Sequence, residues 1–273
     1  MPIIDVRAPN KAAAPLTLKA GGAALWLAAL CLSASPVLGD SFGFETGYEG
    51  WIADFADYPV ADSANWHLRH GIAAMPGVAP AQQGLRLAGD NFSDDLFLYV
   101  RKRFTGLVPN AEYRMEVLAG IVTGQCPDCG GGDSFYLKAG ATAKEPKKAA
   151  TDGMFRMDID KGNQARGGAE MDTLGFVHHD AEGDMKPHLV RMGNAKHPFR
   201  FRADANGGIW VAVGVESAFE TPVIWDLADL EVRFTSASGI RQGRAIRTAA
   251  PLSRDTRTWD AAGRLRHSAI RKD

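Results

Sequence analysis

Three stretches of the 273-residue chain concentrate side chains that can do chemistry. The first is Asp158-Ile159-Asp160-Lys161-Gly162-Asn163-Gln164, which crowds carboxylates, an ammonium and amides into one short run. Acids at alternate positions suggest a calcium loop. The EF-hand spacing, however, requires an acid or amide where Gly162 stands, glycine where Asn163 stands and glutamate where Ala169 stands. A strand running into a turn fits better, with Asp158 and Asp160 facing outward and Gly162-Asn163 reversing the chain. Asp160, Asn163 and Gln164 then form a polar strand end able to hydrogen-bond sugar hydroxyls. The second stretch, Asp90 to Asp95, puts two carboxylates side by side at Asp94 and Asp95. Such a pair could hold metal or act as acid and base. Neighbours on a strand face opposite ways, and acid-base catalysis needs both groups on one substrate. A turn is expected here, with Asp94 a candidate ligand contact at its rim. The third is Cys126-Pro127-Asp128-Cys129, followed by three glycines. No helix N-terminus is at hand to activate a thiol. Zinc needs four ligands, and His178 and His179 diverge as strand neighbours. In an oxidising compartment the two cysteines form a short disulfide staple.

Of the remaining histidines, His67, His70, His188 and His197 have no ligand spacing, and no phosphate-binding glycine loop of the Walker type occurs. Trp51 and Trp66 lie near expected loops and are candidates to stack on sugar rings, against the competing role of core aromatics.

The elements that must position these groups read as β. Leu98, Val100 and Phe104 alternate with Arg101 and Arg103; Tyr113, Met115, Val117, Ala119 and Ile121 with Arg114 and Glu116. Phe155-Met157-Ile159, Phe199-Phe201, Ile209-Val211-Val213-Val215 and Leu230-Val232-Phe234 repeat the pattern. Period two places one face in a core and one in water. Gly, Pro, Asn and Asp separate the runs, and no apolar row at helical spacing could cross over a parallel sheet. The expected fold class is all-β: antiparallel strands in a two-sheet β-sandwich.

The ends differ from this body. Residues 1–39 carry Arg7, Lys11 and Lys19, then the apolar run from Ala23 to Leu32, then small residues to Gly39. That is a signal peptide, too short to span a bilayer, with cleavage expected after Gly39. The chain is thus expected to be exported, periplasmic or extracellular, with no transmembrane span after cleavage. Leu30 before Cys31 disfavours lipid anchoring. Residues 236–273 hold nine basic against three acidic residues, a basic tail expected to be disordered. The body, residues 40–235, is left acidic, which argues against nucleic acid as a partner.

The opening Phe42-Gly43-Phe44-Glu45 through Gly50-Trp51 resembles the first strand of galactose-binding-like jelly rolls, among them many carbohydrate-binding modules. Ala228-Asp229-Leu230 and Val232 resemble their closing strand, with Ala228 in place of an acid. More narrowly, Asn91–Phe97 with Thr105–Tyr113, Tyr136–Pro146, Arg156–Gln164 and Trp210–Glu220 resemble a family of exported, lipoprotein-like bacterial proteins of unassigned function. The resemblance implies a jelly roll over residues 42–235, with Glu45 and Asp229 as candidate ligands of a structural Ca2+. The functional expectation is an exported, non-catalytic sandwich binding a glycan or another cell-envelope polymer. A carbohydrate-active hydrolase or lyase on the same fold is the first alternative, and a cell-envelope structural or adhesion protein the second.

Overall fold

The computed structural model describes residues 37–126, 129 and 134–237. Residues 1–36 and 238–273 lie outside the described residues, and with them nearly all of the expected leader and tail. The described chain is built from antiparallel strands and one short 3-10 turn, Ser63–Trp66. No helix among the described residues is long and apolar enough to cross a membrane.

Two sheets face each other. In the larger, β7 (Glu112–Thr123) and β15 (Pro222–Ser236) form the central pair. β12 (His188–Gly193) and β13 (Phe199–Arg202) share the free edge of β7. β1 (Val37–Phe42) and β5 (Gln83–Asp90) share that of β15, and β4 (Arg69–Ala74) closes the sheet on β5. The smaller sheet runs β11 (Met171–Phe176), β8 (Phe135–Thr142), β14 (Ile209–Ser217), β6 (Phe97–Phe104) and β2 (Ile52–Ala56). A third, small sheet joins β3 (Tyr58–Pro59), β10 (Met154–Met157) and β9 (Lys148–Thr151).

Alternation dictates the core. Tyr113, Met115, Val117, Ala119 and Ile121 of β7 meet Leu230, Val232 and Phe234 of β15, and across the interior Leu98, Val100, Val211, Val213 and Val215. Each such aliphatic side chain contributes about 1.5–3 kcal/mol by leaving water. Asn194, just after β12, is buried; its Oδ1 accepts from the Val117 N–H at 2.7 Å and its Nδ2 donates to the Met115 carbonyl at 3.1 Å. The side chain thereby replaces the strand pairing that lapses between β12 and β13.

One expectation needs correction. The outer face of the smaller sheet is not in water. Phe97, Tyr99, Ala212 and Met171 form a second cluster there with Ile159, and Arg101 is buried, reaching Glu145 and Asp54. The segment between β8 and β11 covers them. Residues on both sides of the expected cleavage point after Gly39 are paired in β1. Val37, Leu38 and Gly39 lie opposite Thr235, Phe234 and Arg233, and Leu38 packs on the core.

Candidate functional site

The covering segment builds the site. A small residue on the outer face of the smaller sheet lets it approach: a Cβ on Gly140 would meet the Glu170 carbonyl at 1.9 Å. Beyond β10 the chain makes a tight hairpin, with backbone bonds in both directions between Asn163 and Arg166. Gly162 sits there at φ +71°, with the Arg166 carbonyl only 2.2 Å from where a Cβ would stand, so both conformation and space require glycine. Asp160 locks the hairpin base. Its carboxylate accepts from the Gly162 and Ala169 N–H groups at 3.0 and 2.8 Å. Those two bonds hold its carboxyl below the ordinary aspartate range. A depressed folded value stabilises above the unfolded one, and the gain is lost as pH falls through the folded one. The Gly162 and Ala169 amides are therefore expected to stay protected from hydrogen exchange at pH 3.8 and to open only in stronger acid, whereas in Asp160→Asn they exchange fast at neutral pH.

Beneath the hairpin lies a lattice of buried charge. Glu216, at the end of β14, and Lys138, on β8, are fully buried and 3.0 Å apart. Lys161 reaches Glu216 at 2.6 Å and Asp57 at 3.0 Å. The Lys138 ammonium also donates to the carbonyls of Lys161 and Arg166, and the Gln164 N–H donates to Glu216. Burial pushes the Lys138 ammonium below the ordinary lysine value, against the pull of Glu216. Burial works the same way on Lys161, but the carboxylates of Asp57 and Glu216 outweigh it and raise Lys161. Asp57 itself is raised by burial despite Lys161, and it holds a left-handed backbone at φ 64°. A strained non-glycine residue of this kind persists only where its surroundings over-determine it.

This lattice floors an open pocket of about 420 Å³ rimmed by Asp95, Arg156, Asp160 and Asn163. Asp95 forms no hydrogen bond or ion pair among the described residues, and burial, with the nearby Glu216 charge, raises its carboxyl above the ordinary value. Arg156 touches Asp57 through one nitrogen at 3.4 Å and is half exposed. On the other side of the hairpin, a cleft of about 770 Å³ opens where β11 meets the β12–β13 turn, lined by Ala165, Gly167, Asp172, Thr173, Lys196 and parts of β7 and β15.

The structure brings together the polar residues singled out in the sequence. Asp160 and Asn163 line the pocket, the Gln164 backbone holds its floor, and the Gln164 side chain reaches the Asp94 carbonyl at 3.5 Å. The stacking candidates are not there. Trp51 and Trp66 are 3% and 1% exposed: Trp51 packs against Phe42 and Phe104, and Trp66 against Tyr58 and Phe92. Neither offers a ring face to a ligand. Glu45 and Asp229 do not fit a cation. A bulge at Ala228 sets Asp229 over Gly120, where Arg191 forks both carboxylate oxygens at 2.5 and 2.8 Å. Glu45 is exposed beyond β1, on the opposite side of β15 from Arg191. No group of three or more His, Cys, Asp or Glu among the described residues is arranged for a metal. Cys126 and Cys129 lie with Cα atoms 5.3 Å apart, within the span a disulfide bridges. Sequence reasoning missed Asp57, Lys138, Lys161 and Glu216 as a unit.

The fold and site together define an antiparallel β-sandwich with a polar pocket on the outer face of its smaller sheet. No family model matches the chain, and no curated protein does. Among solved structures it is similar to the CBM22-1 xylan-binding domain from Paenibacillus barcinonensis Xyn10C, at 15% identity and a TM-score of 0.35 over 76% of this chain and 99% of that one. It is also similar to the family 11 carbohydrate-binding module of Clostridium thermocellum Lic26A-Cel5E, at 7% identity and a TM-score of 0.32 over 72% and 95%. A third is the K1 cleaved adhesin domain of Lys-gingipain from Porphyromonas gingivalis, at 10% identity and a TM-score of 0.34 over 73% and 98%.

Proposed function

We propose that this sandwich is an exported, non-catalytic glycan-binding domain and that the pocket over Asp57, Lys161 and Glu216 is its binding site. One observation carries the reading: planar acceptors and donors, Asp95, Arg156 and Asn163, converge on an open pocket whose floor is already fully paired. Sugar hydroxyls both donate and accept, so they match such a mixed rim. A floor held by its own ion pairs keeps the site in shape without a ligand. Export rests on the leader sequence, and a Cys126–Cys129 disulfide belongs to the same reading. The hydrolase alternative is weaker, because glycoside hydrolysis needs two carboxyl groups flanking one bond. Asp57 and Glu216 are tied to lysines and Asp160 to the Gly162 and Ala169 amides, which leaves Asp95 as the one rim carboxylate without a partner among the described residues.

Calorimetry of the full chain with neutral oligosaccharides tests this. Asp95→Ala and Arg156→Ala are each expected to weaken binding by about tenfold, the loss of one charge-assisted hydrogen bond, with the melting temperature unchanged. No retention on any polysaccharide would remove the proposal, and release of new reducing ends would favour the hydrolase.

A further inference from the structure

Three side chains of the lattice are placed to react as well as to pair. Lys161, Asp57 and Glu216 are 9%, 6% and 0% exposed at the side chain. Lys161 Nζ donates to Glu216 Oε1 at 2.6 Å. It also stands 3.0 Å from Asp57 Oδ2, without the alignment of a hydrogen bond. An amine, a carboxyl group and a second carboxylate able to move protons between them are thus in mutual contact.

Each partner is fixed from outside. Asp57 links β2 to β3 at φ 64°, and its N–H donates to the Phe155 carbonyl. The Lys161 carbonyl accepts from Lys138, and the second Glu216 oxygen is held by Lys138 and the Gln164 N–H. Phe97 lies 5.3 Å from the Lys161 ammonium, and Ala56 and Ile159, close to Asp57 and Lys161 in sequence, belong to the apolar cluster on that face. An amine and a carboxyl group held in contact this way have an effective concentration far above any in solution. Joining them also removes two charges from a place where charge is costly.

We propose that Lys161 and Asp57 become joined by an intramolecular amide bond, made by the folded chain itself with Glu216 as the proton carrier. Nζ attacks Asp57 Cγ, the C–N bond forms, and the bond from Cγ to Oδ2 breaks. Glu216 draws two protons in turn from Nζ and delivers both to Oδ2, which leaves as water into the open pocket. Glu216 ends as the carboxylate it began as, still paired with Lys138. Arg156 stands 3.4 Å from Asp57 Oδ1, the oxygen that the amide keeps, and stabilises negative charge there in the tetrahedral intermediate. Burial and the Glu216 charge raise the Asp57 carboxyl, which favours the neutral acid that an amine attacks. Against burial, the Asp57 and Glu216 carboxylates hold Lys161 charged, so the ion pair is the resting state and loss of its first proton sets the pace. The bond ties the end of β2 to the segment that covers the smaller sheet. It fastens the pocket floor covalently, whatever the pocket binds.

Mass spectrometry of the purified full chain, unfolded and reduced, tests the bond. The chain is expected to be lighter than its polypeptide by one water, and tryptic digestion to give a branched peptide joining Asp57 to Lys161. Lys161→Arg and Asp57→Ala are each expected to keep full mass. Glu216→Gln is expected to slow formation by about a hundredfold, the usual weight of a placed proton carrier. The branched peptide of the parent chain decides the bond whether or not a variant folds. A parent chain at full mass after long incubation in the folded state, or a water loss mapped to any other residue, would overturn the proposal. Undiminished formation in Glu216→Gln would overturn the part given to Glu216.

Discussion

Glu216→Ala is expected to destabilise the domain by about 3–5 kcal/mol, the cost of stranding buried charge by removing one partner. Glu216 is the hub of the lattice. One oxygen holds Lys161 at 2.6 Å, and the other holds Lys138 at 3.0 Å together with the Gln164 N–H. Without it, Lys161 keeps Asp57, but Lys138 keeps only two carbonyls and stays fully buried. The hairpin that walls the pocket is pinned by the same contacts, so it should loosen before the core does. Urea unfolding followed by tryptophan fluorescence measures the first effect, and amide exchange at Gly162 to Ala169 the second. The double variant Glu216→Met with Lys138→Met is expected to recover most of the lost stability, since well-packed apolar side chains can replace a buried ion pair at little cost. A cost below about 1 kcal/mol for Glu216→Ala would place the lattice in contact with water and remove its role as a fixed floor.

That lattice was the least legible part of the molecule, and the reason is physical. Alternation reports which side of a strand faces the main core and assigns the other side to solvent. It worked for β7, β14 and β15, whose inward rows Met115-Val117-Ala119, Val211-Val213-Val215 and Leu230-Val232-Phe234 are buried as the pattern requires. It failed on the outer face of the smaller sheet, because a second layer made from the loop after β8 covers it. A signal was present: the outward positions Ala212 and Gly214 of β14 and Gly140 of β8 are too small to be a solvated face. Small outward residues beside a lone Lys138 and Glu216 mark a place where backbone comes close and charge is paired. Part of the rim was readable from local composition, since Asp160, Asn163 and Gln164 belong to one turn, whereas Asp95 and Arg156 were not singled out as contacts. The floor was not, because Asp57, Lys138, Lys161 and Glu216 come from four distant segments and meet only through register.

Trp66→Ala is expected to cost about 3–5 kcal/mol, as for other buried aromatics cut to alanine. The ring closes the core at the end of the Ser63–Trp66 turn, 1% exposed, with Tyr58 at 5.9 Å and Phe92 edge-on at 5.6 Å. Phe92 is itself more than half exposed, so it could settle into part of the vacated space, which favours the lower end of that range. The substitution also separates two roles that the sequence left open. A stacking platform loses ligand when removed and leaves the fold intact. A core plug loses stability and leaves the affinity of the surviving folded fraction unchanged. At a temperature well below the lowered midpoint, the oligosaccharide affinity of Trp66→Ala should therefore equal that of the parent chain, while the thermal midpoint falls by several degrees. An unchanged midpoint with lost binding would reinstate the tryptophan as a sugar contact and move the site away from the Asp95–Arg156 rim.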